Sequence, residues 1–401
     1  MPLTDSEAAL VAAVPDLDAA AAFLKELVEV NSFTGNKLGV DQISDAVERR
    51  IEELGFRTAA MVDGVSGRHL VARRRDVAEG APRLLLLGHV DTVHPQDGGF
   101  RGFAIDDDDA DVARGPGVAD MKGGLVVLLG ALEALAARGA LEGADVVVVA
   151  VGDEEIGSPT SGDLVRAEAE GAGLCLTFEC GRPAPDGAAT TFVTRRRGVG
   201  RLRLKATGAA GHSGAGEGAS ALLETAPKVA TLHALSDAAA ELAVSVGVLR
   251  GGTAANVTPA TCELEVDYRF PDVESGRDLY DRIVDVVSEN LLRGPSGRPL
   301  VRTTPVSHVT RPPLERTEAV ATAAERVIRA GADLGLRLIE EARGGSSDAA
   351  LAAEVGCPAL CGLGVVGGDI HTDREWARLS SLRDRMRLAA LVMHRFLRGA
   401  P

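Results

Sequence analysis

Leu84-Leu85-Leu86-Leu87-Gly88-His89-Val90-Asp91-Thr92 is the stretch from which the rest of the chain can be read. Four leucines run without a break, and the sequence then turns polar at once. A short apolar run bounded by turn residues is the pattern of a strand buried on both faces, as in a parallel sheet. His89 and Asp91 then fall just past the carboxyl end of that strand, where open α/β sheets place their ligands. Three further stretches repeat the plan. Residues 146–151 are followed by Gly152-Asp153-Glu154-Glu155, residues 174–178 by Glu179, and residues 357–364 by a glycine-rich turn and His371-Thr372-Asp373. Carboxylates at the ends of buried strands need a compensating charge, because an unpaired buried charge is costly. A metal ion shared by the strand ends supplies one. Asp91, two residues after His89, is placed to orient the imidazole.

Composition narrows the function from the other side. The 401 residues are 45% hydrophobic and 25% charged, as in a globular protein, and long enough for two domains. A net charge of −15 argues against nucleic-acid and anionic-membrane partners. The run Asp106-Asp107-Asp108-Asp109 with Asp111 reads as a solvated loop. No basic segment followed by an apolar core opens the chain, so no signal peptide is expected. The most apolar helical stretch, residues 125–137, is too short to span a bilayer and contains Glu133. Five cysteines without framework spacing fit a reducing compartment, and a cytoplasmic location is expected. Cys357 and Cys361 have no second Cys pair and read as core thiols.

In chain order, residues 4–30 have helical spacing with a break at Pro15, and residues 40–54 form a second amphipathic helix closed by Gly55. Residues 57–62 and 69–73 are expected strands, and His69 is read as structural. Arg114-Gly115-Pro116-Gly117-Val118-Ala119-Asp120 precedes a long helix. Its glycines are spaced like part of a dinucleotide loop, but Asp120 replaces the third glycine and no clear strand leads in. Asp120 reads either as an N-cap or as a site carboxylate approached closely by backbone.

Residues 198–305 read as a separate unit in the order βαββαβ: a small antiparallel sheet with two helices on one face. The fold expected is therefore α/β. A three-layer α/β/α domain with a mostly parallel sheet (1–197 and 306–401) is interrupted by a small α+β domain (198–305).

Gly88-His89-Val90-Asp91-Thr92, the Gly115–Gly123 wording around Asp120, Asp153-Glu154-Glu155, Glu179, Gly211-His212-Ser213, Asn256 and His371 together resemble the M20 family of zinc amidohydrolases. The resemblance covers nearly the whole chain. The Gly344-Gly345-Ser346-Ser347-Asp348 turn is similar to the glutamate carboxypeptidase branch. The resemblance implies one zinc on His89, Asp120 and Glu179, and a second on Asp120, Glu155 and His371, with cobalt or manganese as compatible ions. It implies Glu154 as general base. His212 would stabilise the oxyanion, in dimeric members from the neighbouring subunit. Asn256 and Arg269 would bind the substrate's carboxylate. The inserted domain would act as lid and dimer interface, so a homodimer is expected.

The expected activity is hydrolysis of an amide bond next to a free carboxylate, on a small molecule or short peptide, releasing an amino acid such as glutamate. An N-acyl amino acid or N-acyl diamine deacylase is the alternative within the same chemistry. A mono-metal, carbamoylase-like enzyme and a noncatalytic binding protein of the same fold are the remaining readings. The last is disfavoured because Glu154 and all five ligand positions are filled.

Overall fold

The computed structural model describes residues 2–63 and 66–399. The chain divides into two compact units. One comprises residues 1–195, 316–342 and 347–401, and the other residues 196–315 with 343–346.

The larger unit is built on a six-stranded sheet. Its strands lie side by side in the order Phe56–Asp63, Gly67–Arg74, Asp145–Val151, Arg83–His89, Leu174–Thr177 and Ala359–Leu360. The three pairings from Asp145–Val151 onward are parallel, while the first two are antiparallel. The register decides the site. His89 pairs with Val151, three residues before Glu154, and Leu87 with Thr177, two before Glu179. Parallel strands in step therefore carry three acidic or imidazole groups to one edge of the sheet.

Leu84 to Leu87 and Val146 to Val149 are at most 1% exposed, as expected for strands covered on both faces. The helix Lys122–Ala137 is apolar all round and packs against the strand Arg83–His89 and the last helix, Ser380–Leu397. Gly124 makes this fit possible, because a Cβ there would lie 1.8 Å from the Phe178 carbonyl oxygen. All five cysteines are buried.

The expected helix at 4–30 is two helices, Asp5–Ala12 and Leu17–Glu29, capped by Thr4 and Asp16 on either side of Pro15. Asn36 caps Lys37–Glu53, and Gly55 follows that helix at φ +83°. Two small sheets were not foreseen. Thr190–Arg196 pairs with Leu338–Arg343, and Ala104–Ile105, Val112–Arg114, Trp376–Arg378 and Gly367–Gly368 form a second set. The strands of the second set are two or three residues long, too short to carry a readable periodicity.

The smaller unit is an antiparallel sheet in the order Ala243–Gly251, Thr261–Phe270, Gly198–Thr207, Arg302–Arg311. The helices Ala221–His233 and Val273–Ser288 bring Leu232, Leu279 and Ile283 onto Leu202, Leu204, Leu264 and Val266. Its extent corrects the expected 198–305. The last strand does not stop at Pro305 but runs on to Arg311, paired with Val199. Proline cannot donate to a ladder, but this is an edge strand, and the register shifts between Pro305 and Ser307. The break that Pro305 signals is a bulge, so the unit extends to residue 315. Among the described residues no helix is long and apolar enough to cross a membrane.

Candidate metal centre

His89 is the last residue of its strand and is 1% exposed. Its Nδ1 lies 3.0 Å from the main-chain carbonyl of Asp91 and 3.4 Å from Asp91 Oδ1. With Nδ1–H donating to that carbonyl, Nε2 is the nitrogen left to act as a ligand. The nearer orienting group is thus the backbone of Asp91, not the carboxylate that the sequence suggested. The carboxylate does something else as well. It accepts the Thr34 hydroxyl at 2.8 Å and the amide N–H groups of Glu154 and Glu155 at 3.2 Å each. Asp91 therefore fastens the acidic turn Glu154–Ile156 to the end of the neighbouring strand.

Asp120 stands at the centre of the cluster. Its Oδ1 lies 3.1 Å from His89 Nε2, and its Oδ2 lies 3.3 Å from His371 Nε2. One carboxylate thus turns a different oxygen to each of two imidazoles. His371 Nε2 is also 3.2 Å from Glu155 Oε2, and Glu179 Oε1 is 3.9 Å from His89 Nε2. Ligand atoms of His89, Asp120 and Glu155 lie within 4.8 Å of one another, as do those of His89, Glu154 and Glu179. His371 adopts φ +64°, a left-handed conformation uncommon for a residue with a Cβ. Strain of this kind persists where the surroundings hold it, and it collects at functional sites.

The electrostatics are those of imidazoles and carboxylates crowded into one buried cluster. Burial works against charge on His89, but hydrogen bonds to Asp120 and Asp91 and the charge of Glu179 hold its pKa well above the ordinary value. Asp120 and Glu155 drive His371 up to about 11. Burial first, then the charge of Asp120, pushes Glu155 up to about 8. Burial opposes the ionised form of Asp120, yet hydrogen bonds from His371 and His89 hold its pKa low. Glu155 Oε1 is buried with no hydrogen-bond partner among the described residues. Imidazole and carboxylate donors, an orphaned carboxylate oxygen and a carboxylate with divergent oxygens fit metal ions of the zinc, cobalt or manganese type.

A second ring of buried polar groups holds the acidic turn. Asp153 is fully buried and accepts the amide and hydroxyl of Thr160 at 2.8 and 2.7 Å, together with both donors of Ser161. His69 accepts the Gly152 amide at 3.1 Å and meets the Thr160 hydroxyl at 2.9 Å. His69 is structural, as read, and what it structures is the site.

The other expected residues lie in the smaller unit. His212 is exposed, and its Nδ1 accepts the Gly214 amide at 3.2 Å. Its loop is joined to that of Asn256 by Ser213 N–H donating to the Asn256 carbonyl at 3.1 Å, so these two residues are neighbours. Arg269 is not with them. It pairs in register with Val199 at one end of the sheet, whereas the His212 and Asn256 loops follow Thr207 and precede Thr261 at the other. Eight residues of strand separate the ends, roughly 27 Å. A single carboxylate cannot touch both Asn256 and Arg269 within one chain. Arg269 also holds Asp267 with two hydrogen bonds, at 2.8 and 3.1 Å.

The sequence pattern of peptidase family M20/M25/M40 matches residues 85–395. The chain belongs to that family. Carboxypeptidase G2 of Pseudomonas sp. (strain RS-16) is 29% identical over 380 residues, covering 92% of this chain and 87% of that one. Succinyl-diaminopimelate desuccinylase of Ruegeria pomeroyi is 29% identical over 376 residues, covering 89% and 94%. Among solved structures, a Staphylococcus aureus tripeptidase superposes with a TM-score of 0.75 at 21% identity, covering 96% of this chain and all of the other. A dinuclear metal-binding peptidase of Bacillus subtilis gives 0.69 at 16% identity, covering 95% and 98%. These two likenesses concern the fold. The protein is an M20 hydrolase with the α/β and small antiparallel architecture read from its sequence.

Two residues of this M20 chain escaped the sequence reading. Arg311 is the register partner of Val199 on the side opposite Arg269, so the two arginines flank one residue at the same end of the sheet. Only the strand continuation past Pro305 reveals this. The second, Glu375, lies four residues after His371, and its carboxylate meets the Asp120 loop.

Proposed function

We propose that the protein is a two-metal hydrolase that cleaves an amide bond next to a free carboxylate and releases an amino acid. The observation that carries this reading is Asp120, whose two carboxylate oxygens are directed at His89 and at His371. Asp120 would bridge two ions, one also held by His89 and Glu179, the other by Glu155 and His371. Zinc suits this donor set, as do cobalt and manganese. When bound, such ions polarise a scissile carbonyl and acidify the attacking water.

Glu154 is the general base. It takes a proton from the water as the carbon–oxygen bond forms, and gives it to the nitrogen as the carbon–nitrogen bond breaks. Its main-chain N–H is held by Asp91 Oδ1, which fixes where its side chain starts. His212 donates to the oxyanion. Arg269, with Arg311 beside it, presents guanidinium groups suited to the substrate's carboxylate. A substrate that meets both this end of the small sheet and His212 with Asn256 must lie between two copies of the chain. The active form is then a homodimer in which His212 and Asn256 serve the partner's site.

The desuccinylase relatives support a second reading, removal of an acyl group from an amino acid or diamine. A mass-spectrometric hydrolysis screen separates the two. The zinc-loaded protein is offered N-acetyl and N-succinyl amino acids, dipeptides, and peptides or pteroyl compounds ending in glutamate, with Glu154→Gln as the blank. Release of C-terminal amino acid supports the carboxypeptidase reading. Cleavage of small acyl groups alone moves the protein to the deacylases. Turnover by Glu154→Gln equal to the wild type removes Glu154 as base.

A further inference from the structure

The carboxylate of Glu375 is 1% exposed and holds four donors. Its Oε1 accepts the amide N–H groups of Ala119 and Asp120, both at 2.9 Å. Its Oε2 accepts the Gly117 amide at 3.0 Å and lies 3.0 Å from His94 Nε2. Three of the four are main-chain amides of one loop, the loop that ends in Asp120. Gly117 within it adopts φ +75°, so its amide is turned as only glycine permits cheaply. His94 is itself 8% exposed and packs edge-on against Phe100 at 5.1 Å.

Glu375 belongs to the segment that carries His371, and the strand after it, Trp376–Arg378, pairs with Val112–Arg114, the strand that leads into the Asp120 loop. One side chain thus joins the backbone of the two segments whose side chains meet at Asp120 Oδ2 and His371 Nε2, 3.3 Å apart. We propose that Glu375 is a positioning residue that sets the direction of the two Asp120 oxygens and so the affinity of the metal pair. The inference rests on the two-metal reading above.

The chemistry needs a carboxylate. Two acceptor oxygens, each with two lone-pair directions, match four donors. A glutamine offers one acceptor oxygen, and its NH₂ would face donors at Gly117 and His94. Glu375→Gln keeps the volume, retains acceptors for Ala119 and Asp120, and releases the other half of the clamp. Groups that orient metal ligands typically change affinity by about tenfold to a hundredfold when altered.

The test measures metal affinity by chelator competition, and the visible absorption of the cobalt-substituted protein, for the wild type, Glu375→Gln and His94→Phe. The wild type is expected to bind two ions per chain. Glu375→Gln should bind them about tenfold to a hundredfold more weakly, with an altered cobalt spectrum, a lower kcat and a KM within about twofold. His94→Phe keeps the ring stack and all three backbone bonds, and should shift affinity in the same direction by less. A folded Glu375→Gln with wild-type affinity and spectrum overturns the inference while leaving the two-metal reading intact. If Glu375→Gln does not fold, His94→Phe decides: unchanged affinity and spectrum overturn the proposal. A wild type that takes up no metal overturns the two-metal reading and the inference together.

Discussion

At the scale of single residues, most of the site consists of groups with two jobs. Asp91 sets the His89 ring with its carbonyl and holds the amides of Glu154 and Glu155 with its carboxylate. Arg269 has a partner in Asp267 and a neighbour in Arg311 across Val199. If its task is to bind substrate, Arg269→Ala should raise KM for carboxylate-bearing substrates by about tenfold or more, the loss of one charge-assisted bond, with a smaller effect on kcat. Asp267→Asn, which breaks the ion pair but leaves the guanidinium, should change KM much less. Steady-state kinetics on both variants check this, and equal effects would mean that Arg269 acts only through its pair with Asp267.

At the scale of elements, close approach and buried clamps fix how the helices sit. Gly124 lies in the first turn of Lys122–Ala137, where alanine would ordinarily favour the helix by about 1 kcal/mol. Here the added methyl would fall 1.8 Å from the Phe178 carbonyl oxygen, one residue before Glu179. Backbone cannot yield as a side-chain tip can, so Gly124→Ala should destabilise by about 1–3 kcal/mol, read by urea unfolding. A gain in stability would show that the helix can shift away from the strand end.

In the smaller unit, Glu224 is 1% exposed and holds Lys228 at 2.9 Å and the amides of Leu291 and Leu292. Burial raises its pKa, but the Leu291 and Leu292 amides and Lys228 outweigh burial and hold it below the ordinary 4.5. A carboxyl depressed in the folded state stabilises above its unfolded pKa, and that contribution is lost as pH falls through the folded value. Glu224→Gln should therefore cost about 2–4 kcal/mol at pH 7. The difference from wild type should narrow as the pH falls below the ordinary carboxyl value of 4.5 and the wild-type carboxyl protonates. Urea unfolding at both pH values measures it, and a constant gap would contradict the role assigned to the charge.

At the scale of the whole molecule, the proposed homodimer, with His212 serving the partner's site, makes a prediction of its own. Glu154→Gln and His212→Ala should each be inactive as homodimers. After co-assembly, half of the dimers are hybrids, and in each hybrid one site has an intact Glu154 and a His212 from its partner. Roughly a quarter of wild-type activity should return. If His212 acts within its own chain, every site in the mixture stays broken and none returns.

The sequence by itself determined the main architecture and the identity of the cluster. Apolar runs that end in His89, Glu154, Glu155 and Glu179 are local patterns, and a parallel sheet in step has only one edge at which to gather their ends. Motif wording then placed Asp120 and His371 beside them. Tertiary structure alone decided the rest, because it depends on contacts between residues far apart in the chain. Proline at position 305 signals a break, and only pairing with Gly198–Thr207 reveals a bulged edge strand that continues to Arg311. Asn256 and Arg269 lie thirteen residues apart in sequence and look like one binding pair, but an extended strand between them carries them to opposite ends of a sheet. Glu375 sits in no pattern that a sequence displays, since its partners are backbone amides some 255 residues away.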